Sequence, residues 1–314
     1  MNPDLTCKIG NITCRNPLLA ASGTFGFGEE WADYINLNRI GGLVTKGLSL
    51  LPRHGNPPPR VWETASGMLN AIGLANPGLD AFVEHKLPFL QNLAKNGCLV
   101  AVNLYGESQE EFVKLAQELS ALPGIGALEL NLSCPNVKEG GMAFGVEPDT
   151  VLHMTSLVRE VTSLPLWVKL SPNVTNIAAI ARAAAHGGAD AVSLINTLLA
   201  MSIDARARRT RLGNNMGGLS GPAIKPVALR MVYQVSQEVN IPVIGLGGIS
   251  SGEDVAEFFL AGACAVQIGT ANFMDPTAMN RILDELEEFC IEQGIERLND
   301  LCGALQLHGQ TAPQ

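Results

Sequence analysis

The chain has 314 residues, 46% of them hydrophobic and only 16% charged, against about 25% charged in an average globular chain. Low charge with high apolar content excludes a disordered protein and leaves ample material for a core. The 30 acidic and 21 basic residues give a net charge of −9, which repels phosphate backbones and argues against nucleic acid as a partner.

In chain order, Leu5–Cys14 centres on Gly10-Asn11 and reads as a β-hairpin, suited to plugging the bottom of a barrel. Short apolar runs follow at Leu18–Ala21, Gly42–Lys46, Cys98–Leu104, Ala127–Ser133, Leu166–Leu170, Ala191–Asn196, Pro242–Leu246 and Ala265–Gly269. Continuous apolar runs of this length suit parallel strands buried on both faces. Amphipathic stretches separate them. Ser108 and Glu111 have capping-box spacing, after which Phe112, Leu115, Leu119 and Leu122 repeat at helical period until Pro123-Gly124. Thr175–His186 and Ser251–Ala261 read as further helices. A last one is predicted to start at Asp275-Pro276, with Met279, Ile282, Leu283, Leu286 and Phe289 on one face and Gly294 at its end.

Eight strand–helix alternations predict an α/β fold, a (β/α)8 TIM barrel, in preference to an open doubly wound sheet. No linker or low-complexity tract divides residues 1–314, so one domain is expected. The long connections Gly47–Asn76, Cys134–Glu147 and Thr197–Gly221 all follow strands. Long insertions therefore gather on the C-terminal face, where barrels of this kind build their sites.

Seven cysteines occur, at positions 7, 14, 98, 134, 264, 290 and 302, with no C-x-x-C spacing. The lack of that spacing excludes a zinc knuckle or iron–sulfur cluster held by this chain alone, and scattered thiols suit a reducing compartment. No export signal and no apolar run near ~20 residues is present, so a cytoplasmic protein without membrane attachment is expected.

Polar residues mark the strand ends: Lys46, Asn103, Asn131, Lys169 and Asn196-Thr197. One such residue means little, since an apolar strand can end in any polar side chain. Five aimed at one mouth favour a pocket for a planar ligand rich in carbonyl and N–H groups. Strands seven and eight run into Gly247-Gly248 and Gly269-Thr270, with Ser250 or Ser251 placed to cap the helix between. Loops after the last two strands are the usual phosphate site of this fold, where glycine N–H groups and a helix N-terminus meet an anion.

Cys134 follows strand four on this face, beside the glycine-containing stretch Lys138–Gly141, and is a candidate nucleophile or base. Cys98 and Cys264 sit inside apolar runs and read as inert. The five histidines read as surface residues, and Arg206, Arg208, Arg209 and Arg211 as a solvated basic loop. Asn70 precedes Ala71-Ile72-Gly73-Leu74 and is within reach of the mouth.

Together, Ala20-Ala21-Ser22-Gly23, Asn70-Ala71-Ile72-Gly73-Leu74 and Asn131-Leu132-Ser133-Cys134-Pro135-Asn136 resemble the dihydroorotate dehydrogenases, flavin barrels of pyrimidine biosynthesis. The likeness runs in order over nearly the whole chain. Three segments are similar to the class 1B, NAD-linked branch: Val137–Gly145, the Asn70–Gly78 turn and Gly218–Pro226. The cysteine at 134 and the short N-terminus depart from the membrane-associated class 2, which uses serine.

The resemblance implies FMN near Ser22, Lys46, Gly47, Asn103, Asn131, Lys169, Ile195, Gly221, Gly247, Gly248, Gly269 and Thr270. It implies dihydroorotate or orotate against Lys46, Asn70, Ala71, Ile72, Gly73, Leu74, Asn131, Asn196 and Thr197. Cys134 would take the C5 proton, Lys46 would stabilise developing negative charge on the substrate, and Lys169 would lie at the flavin N1/O2 edge. Gly47 stands where many relatives have alanine or serine. The class also implies a homodimer within a heterotetramer, with a partner subunit carrying FAD and [2Fe–2S] that passes electrons to NAD, and no metal on this chain. Alternatives are the fumarate-using class 1A, another FMN barrel such as a dihydropyrimidine dehydrogenase or dihydrouridine reductase, a Schiff-base aldolase and a silent scaffold.

Overall fold

A computed structural model of the chain describes residues 2–132 and 145–309. It opens with the antiparallel hairpin β1 (Cys7–Ile9) and β2 (Ile12–Cys14), in which Cys7 faces Cys14. Next come β3 (Leu18–Ala20) and β4 (Gly42–Val44), joined by a 3-10 turn at Glu29–Trp31 in place of a full helix. Here Phe25 and Phe27 enter the core where a helix face would otherwise lie, and Phe25 stacks on Trp31 at 4.8 Å between ring centroids.

After β4 the chain forms β5 (Val61–Thr64) and β6 (Gly67–Asn70), then the short helix α1 (Leu79–Ala81) and α2 (Leu87–Lys95). Regular alternation follows: β7 (Leu99–Leu104), α3 (Gln109–Ser120), β8 (Ala127–Asn131), α4 (Pro148–Val161), β9 (Leu166–Lys169), α5 (Ile177–His186) and β10 (Ala191–Leu194). The long connection beyond holds β11 (Leu198–Ala200), β12 (Ile203–Asp204), β13 (Arg209–Thr210) and β14 (Gly217–Ser220), before α6 (Lys225–Ser236). The chain then runs through β15 (Val243–Leu246), α7 (Gly252–Leu260), β16 (Ala265–Ile268), α8 (Ala271–Met274) and α9 (Ala278–Glu292). Among the described residues, β3, β4, β7, β8, β9, β10, β15 and β16 close a parallel barrel in chain order.

Helix boundaries follow local chemistry. Ser108 caps α3 by accepting from Glu111 N at 3.3 Å. The Glu111 carboxylate turns to Glu107 N at 2.7 Å, so the predicted box is only half formed. Ser251 caps α7 with a full box, closed by Asp254. The last helix starts at Ala278, later than predicted, because Asp275 is spent on a turn: its Oδ1 accepts from Thr277 N at 2.8 Å and Thr277 Oγ1 at 2.7 Å. On α3, Phe112, Leu115 and Leu119 are buried against the barrel. Leu115→Ala would cost about 2–5 kcal/mol through the cavity it leaves.

Inside the barrel the side chains fall into layers with the two-residue period of a strand. The lower layer contains Leu19, Val44, Ala101, Ala127, Trp167, Ala191, Ile244 and Ala265, packed on Cys7, Ile9 and Cys14 of the hairpin. The hairpin thus plugs the bottom. Two residues further along each strand stand Ala21, Lys46, Asn103, Glu129, Lys169, Ser193, Leu246 and Gln267. The same alternation that seals the floor with apolar groups therefore delivers a largely polar layer beneath the mouth.

Candidate active site

One cavity of about 790 Å³ opens at the C-terminal mouth, within the range of small-molecule and cofactor sites. Its wall includes a four-stranded antiparallel sheet in the order β11-β14-β6-β5, built from the connections after β4 and β10. Sequence patterning treats both stretches as plain loops. They are too short and too mixed in polarity to announce strands, and they pair only with each other.

The cavity brings together Ser22, Lys46, Gly47, Asn70, Ala71, Ile72, Gly73, Leu74, Asn131, Lys169, Ile195, Asn196, Thr197, Gly221, Gly247, Gly248, Gly269 and Thr270. Asn103 is not on the wall: it is fully buried behind it. Its Nδ2 donates to Glu129 Oε1 at 2.7 Å and its Oδ1 accepts from Asn131 Nδ2 at 3.5 Å. A Cβ on Gly47 would lie 2.9 Å from that Oδ1, so glycine there leaves Asn103 its room. Cys134 lies outside the described residues, as do its neighbours from 133 to 144.

Backbone geometry fixes the Asn70–Leu74 turn. Asn56 N donates to Ile72 O at 2.9 Å, Asn56 Nδ2 donates to Ala71 O at 2.9 Å, and Asn70 Nδ2 reaches Gly218 O at 3.4 Å. The turn closes with Gly73 at φ 74° and Leu74 at φ 58°. Just before β11, Thr197 N donates to Asn196 Oδ1 at 2.8 Å, and Asn173 Nδ2 donates to Thr197 O at 3.0 Å.

Lys46 stands two residues beyond β4, its N–H held by Gly26 O at 2.9 Å. Burial, and secondarily the positive Arg60, hold its ammonium below the usual lysine range. Among the described residues it makes no ion pair, which leaves its charge for an anion entering the cavity. Lys169 is different. Its Nζ lies 3.7 Å from Oε1 of Glu129, both side chains being buried.

The glycine rim is tight. A Cβ on Gly248, where φ is 77°, would lie 2.8 Å from both Gly221 O and Lys225 Cβ. The N–H groups of Gly248 and Thr270 make no hydrogen bond among the described residues, and both residues line the cavity. Such N–H groups suit anion oxygens. Helix α7 adds less than its N-terminus promises. Asp254 Oδ2 already accepts from Ser250 N at 2.7 Å and Ser251 N at 3.0 Å, while Glu285 takes Gly252 N at 2.9 Å. The anion-binding capacity of this rim therefore rests on the glycine turns.

Glu129, Ser193, Gln267 and Asn173 escape a reading based on strand ends. Glu129 and Gln267 have a faint signal, a charged and an amide residue inside apolar strands. All five histidines are exposed, as are Arg206, Arg208 and Arg209. Arg211 is structural: it pairs with Asp204 at 2.8 Å and lies over the Trp62 ring at 4.4 Å. Among the described residues no group of His, Cys, Asp and Glu could hold a metal, and no helix is long and apolar enough to cross a membrane.

The barrel mouth thus joins a glycine-lined rim to a strand-built wall, with amides and lysines beneath, in one pocket of the size of small-molecule and cofactor sites. The sequence profile described as dihydroorotate dehydrogenase matches residues 4–290. The chain belongs to the dihydroorotate dehydrogenase family. It is 56% identical over 303 residues to "Dihydroorotate dehydrogenase B (NAD(+)), catalytic subunit" of Geotalea uraniireducens, covering 96% of this chain and 98% of that one. The protein of the same name from Geobacter metallireducens is 55% identical over 305 residues, covering 97% and 99%. A crystal structure of DHODH from Eimeria tenella in complex with ferulenol shares the fold with a TM-score of 0.80, at 22% identity over 96% of this chain and 89% of that one.

Proposed function

We propose that residues 1–314 act as one barrel unit, the FMN-dependent catalytic subunit of an NAD-linked dihydroorotate dehydrogenase, oxidising dihydroorotate to orotate. The observation that carries this reading is the single cavity on which the two lysines, the amides and the glycine rim converge, in a chain of this family.

The donor set suits FMN. The N–H groups of Gly248 and Thr270 match phosphate oxygens. The buried Oε1 of Gln267, without a partner among the described residues, matches a cofactor N–H or O–H. Ser22, Lys46, Gly47, Asn131, Lys169, Ile195, Gly221, Gly247, Gly248, Gly269 and Thr270 hold it, with Asn103 supporting Asn131 from behind. FMN, when bound, supplies the hydride acceptor.

Lys46, the Asn70–Leu74 turn, Asn131, Asn196 and Thr197 bind the substrate. An amide both donates and accepts, as the edge of a pyrimidinedione requires. The Lys46 ammonium holds the substrate's negative charge and steadies the charge that grows as the C5 proton leaves. The Cys134 thiolate takes that proton, and general-base help of this kind is typically worth ~10²–10⁴-fold. The relatives' names contain "catalytic subunit", which supports a second subunit. We assign it FAD and [2Fe–2S], in a heterotetramer around a homodimer of this chain, working in the cytoplasm.

The test is a visible spectrum of the purified protein before and after anaerobic dihydroorotate. The expected result is a yellow protein that bleaches. A colourless protein, or a yellow one that keeps its colour, overturns the assignment. Turnover by the lone chain with fumarate would instead move it to the fumarate-using class.

A further inference from the structure

At and beneath the cavity floor lies a polar cluster in which the chemistry above gives Glu129 no task. Asn103, Glu129, Lys169, Ser193 and Gln267 come from five different strands and meet inside the barrel. Glu129 is completely buried. Its Oε1 accepts from Asn103 Nδ2 at 2.7 Å and faces Lys169 Nζ at 3.7 Å. Its Oε2 accepts from Ser193 Oγ at 2.8 Å and Gln267 Nε2 at 2.6 Å.

A leucine or methionine would fill the same volume without the cost of burying charge. What the carboxylate adds is polarity. It only accepts, so each amide beside it turns its nitrogen inward and its oxygen away. For Gln267, which lines the cavity, this leaves Oε1 buried and without a partner among the described residues. For Asn103 it leaves Oδ1 to accept from Asn131. The carboxylate also sets a fixed negative charge beside Lys169, whose side chain lines the same cavity.

We propose that Glu129 is a positioning residue. It turns Gln267 so that an acceptor oxygen meets a cofactor N–H or O–H, and it offsets the Lys169 charge so that the bound flavin is not over-stabilised in its reduced form. This rests on the FMN reading above. Reduction adds electron density in the cavity, and a buried anion below it opposes that gain, whatever the orientation of the ring.

The experiment measures the oxidised–reduced equilibrium of bound FMN in the wild type, in Glu129→Gln and in the double variant Glu129→Gln with Gln267→Glu. The single change is expected to shift the equilibrium at least tenfold toward reduced flavin, about 30 mV for a two-electron couple. The double change returns one carboxylate to the same hydrogen-bonded pair and is expected to bring the value back within threefold of wild type. If the single variant binds FMN weakly, the ratio of its affinities for oxidised and reduced FMN reports the same shift. If it does not fold, the double variant is the test: folding with a near-native equilibrium supports the proposal, and no recovery overturns it. A yellow wild type bleached by dihydroorotate, with the single variant within twofold of it, overturns the role of Glu129 alone. A wild type that takes up no FMN overturns the cofactor reading and this inference together.

Discussion

Glu129 and Lys169 project from neighbouring strands into the barrel interior, Oε1 3.7 Å from Nζ, with side chains 0% and 6% exposed. Removing one member of a buried ion pair leaves the other uncompensated, typically at about 3–5 kcal/mol. Lys169→Met should therefore destabilise the FMN-free protein by about 3 kcal/mol in urea unfolding. Glu129→Gln also leaves a buried charge without its counter-charge, but Lys169 lines the cavity, where water can reach its ammonium, so this variant should cost less. Equal losses would mean that shape, not charge, governs the cluster.

Lys46 should behave in the opposite sense. Burial and Arg60 lower its pKa, so its charged form is disfavoured in the folded protein. For a base with a depressed folded pKa, the penalty is full below that pKa and is relieved as pH rises from there toward the unfolded value near 10.5. Lys46→Met should raise the melting temperature of the FMN-free protein by about 1–3 °C at pH 7, while abolishing orotate binding. The gap to wild type should narrow as pH approaches 10. A gap that widens with pH would contradict the cause assigned to the shift.

The contrast between these two lysines bears on what the sequence makes legible. The barrel is legible because eight apolar runs alternate with amphipathic stretches, and parallel strands buried on both faces have no other pattern. Lys46, Asn131 and Lys169 are legible because the strand ends face the mouth. Glu129 and Gln267 lie one or two residues inside the strands, where a polar residue reads as an imperfection. Only barrel closure, which brings β8 and β16 to the same carboxylate, gives them a partner. The wall sheet is hidden for a related reason. Glycine-rich Gly217–Ser220 becomes a strand because Leu198–Ala200 pairs with one edge of it and Gly67–Asn70, about 150 residues earlier in the chain, with the other.

The glycine rim makes a separate prediction. At φ 77°, with a Cβ 2.8 Å from Gly221 O, alanine at 248 meets both backbone strain and a clash. Strain of this kind costs about 1–3 kcal/mol, and relief requires the turn to move away from the cavity. Gly248→Ala should weaken FMN binding about 10–100-fold. Riboflavin, which lacks the phosphate, should lose much less. Equal losses for both ligands would place the phosphate elsewhere on the rim.

The cysteines separate by ionisation. Burial pushes the Cys98 thiol up to about 12, with Arg15 pulling weakly the other way, and burial likewise takes Cys264 to about 12. At pH 8 such a thiol is ionised to about one part in 10⁴, whereas an ordinary thiol near 8.5 is about one quarter thiolate. Alkylation by iodoacetamide in the native protein should therefore leave Cys98 and Cys264 at least a hundredfold slower than a free thiol. Cys134, as the proposed proton acceptor, should react fastest, and orotate should protect it while leaving the other positions unchanged. Peptide mapping after a timed pulse reads all of these rates in one sample. Rapid modification of Cys264 would contradict its raised pKa. Cys134 labelled no faster with orotate absent than with orotate present would remove it from the substrate's side of the cavity.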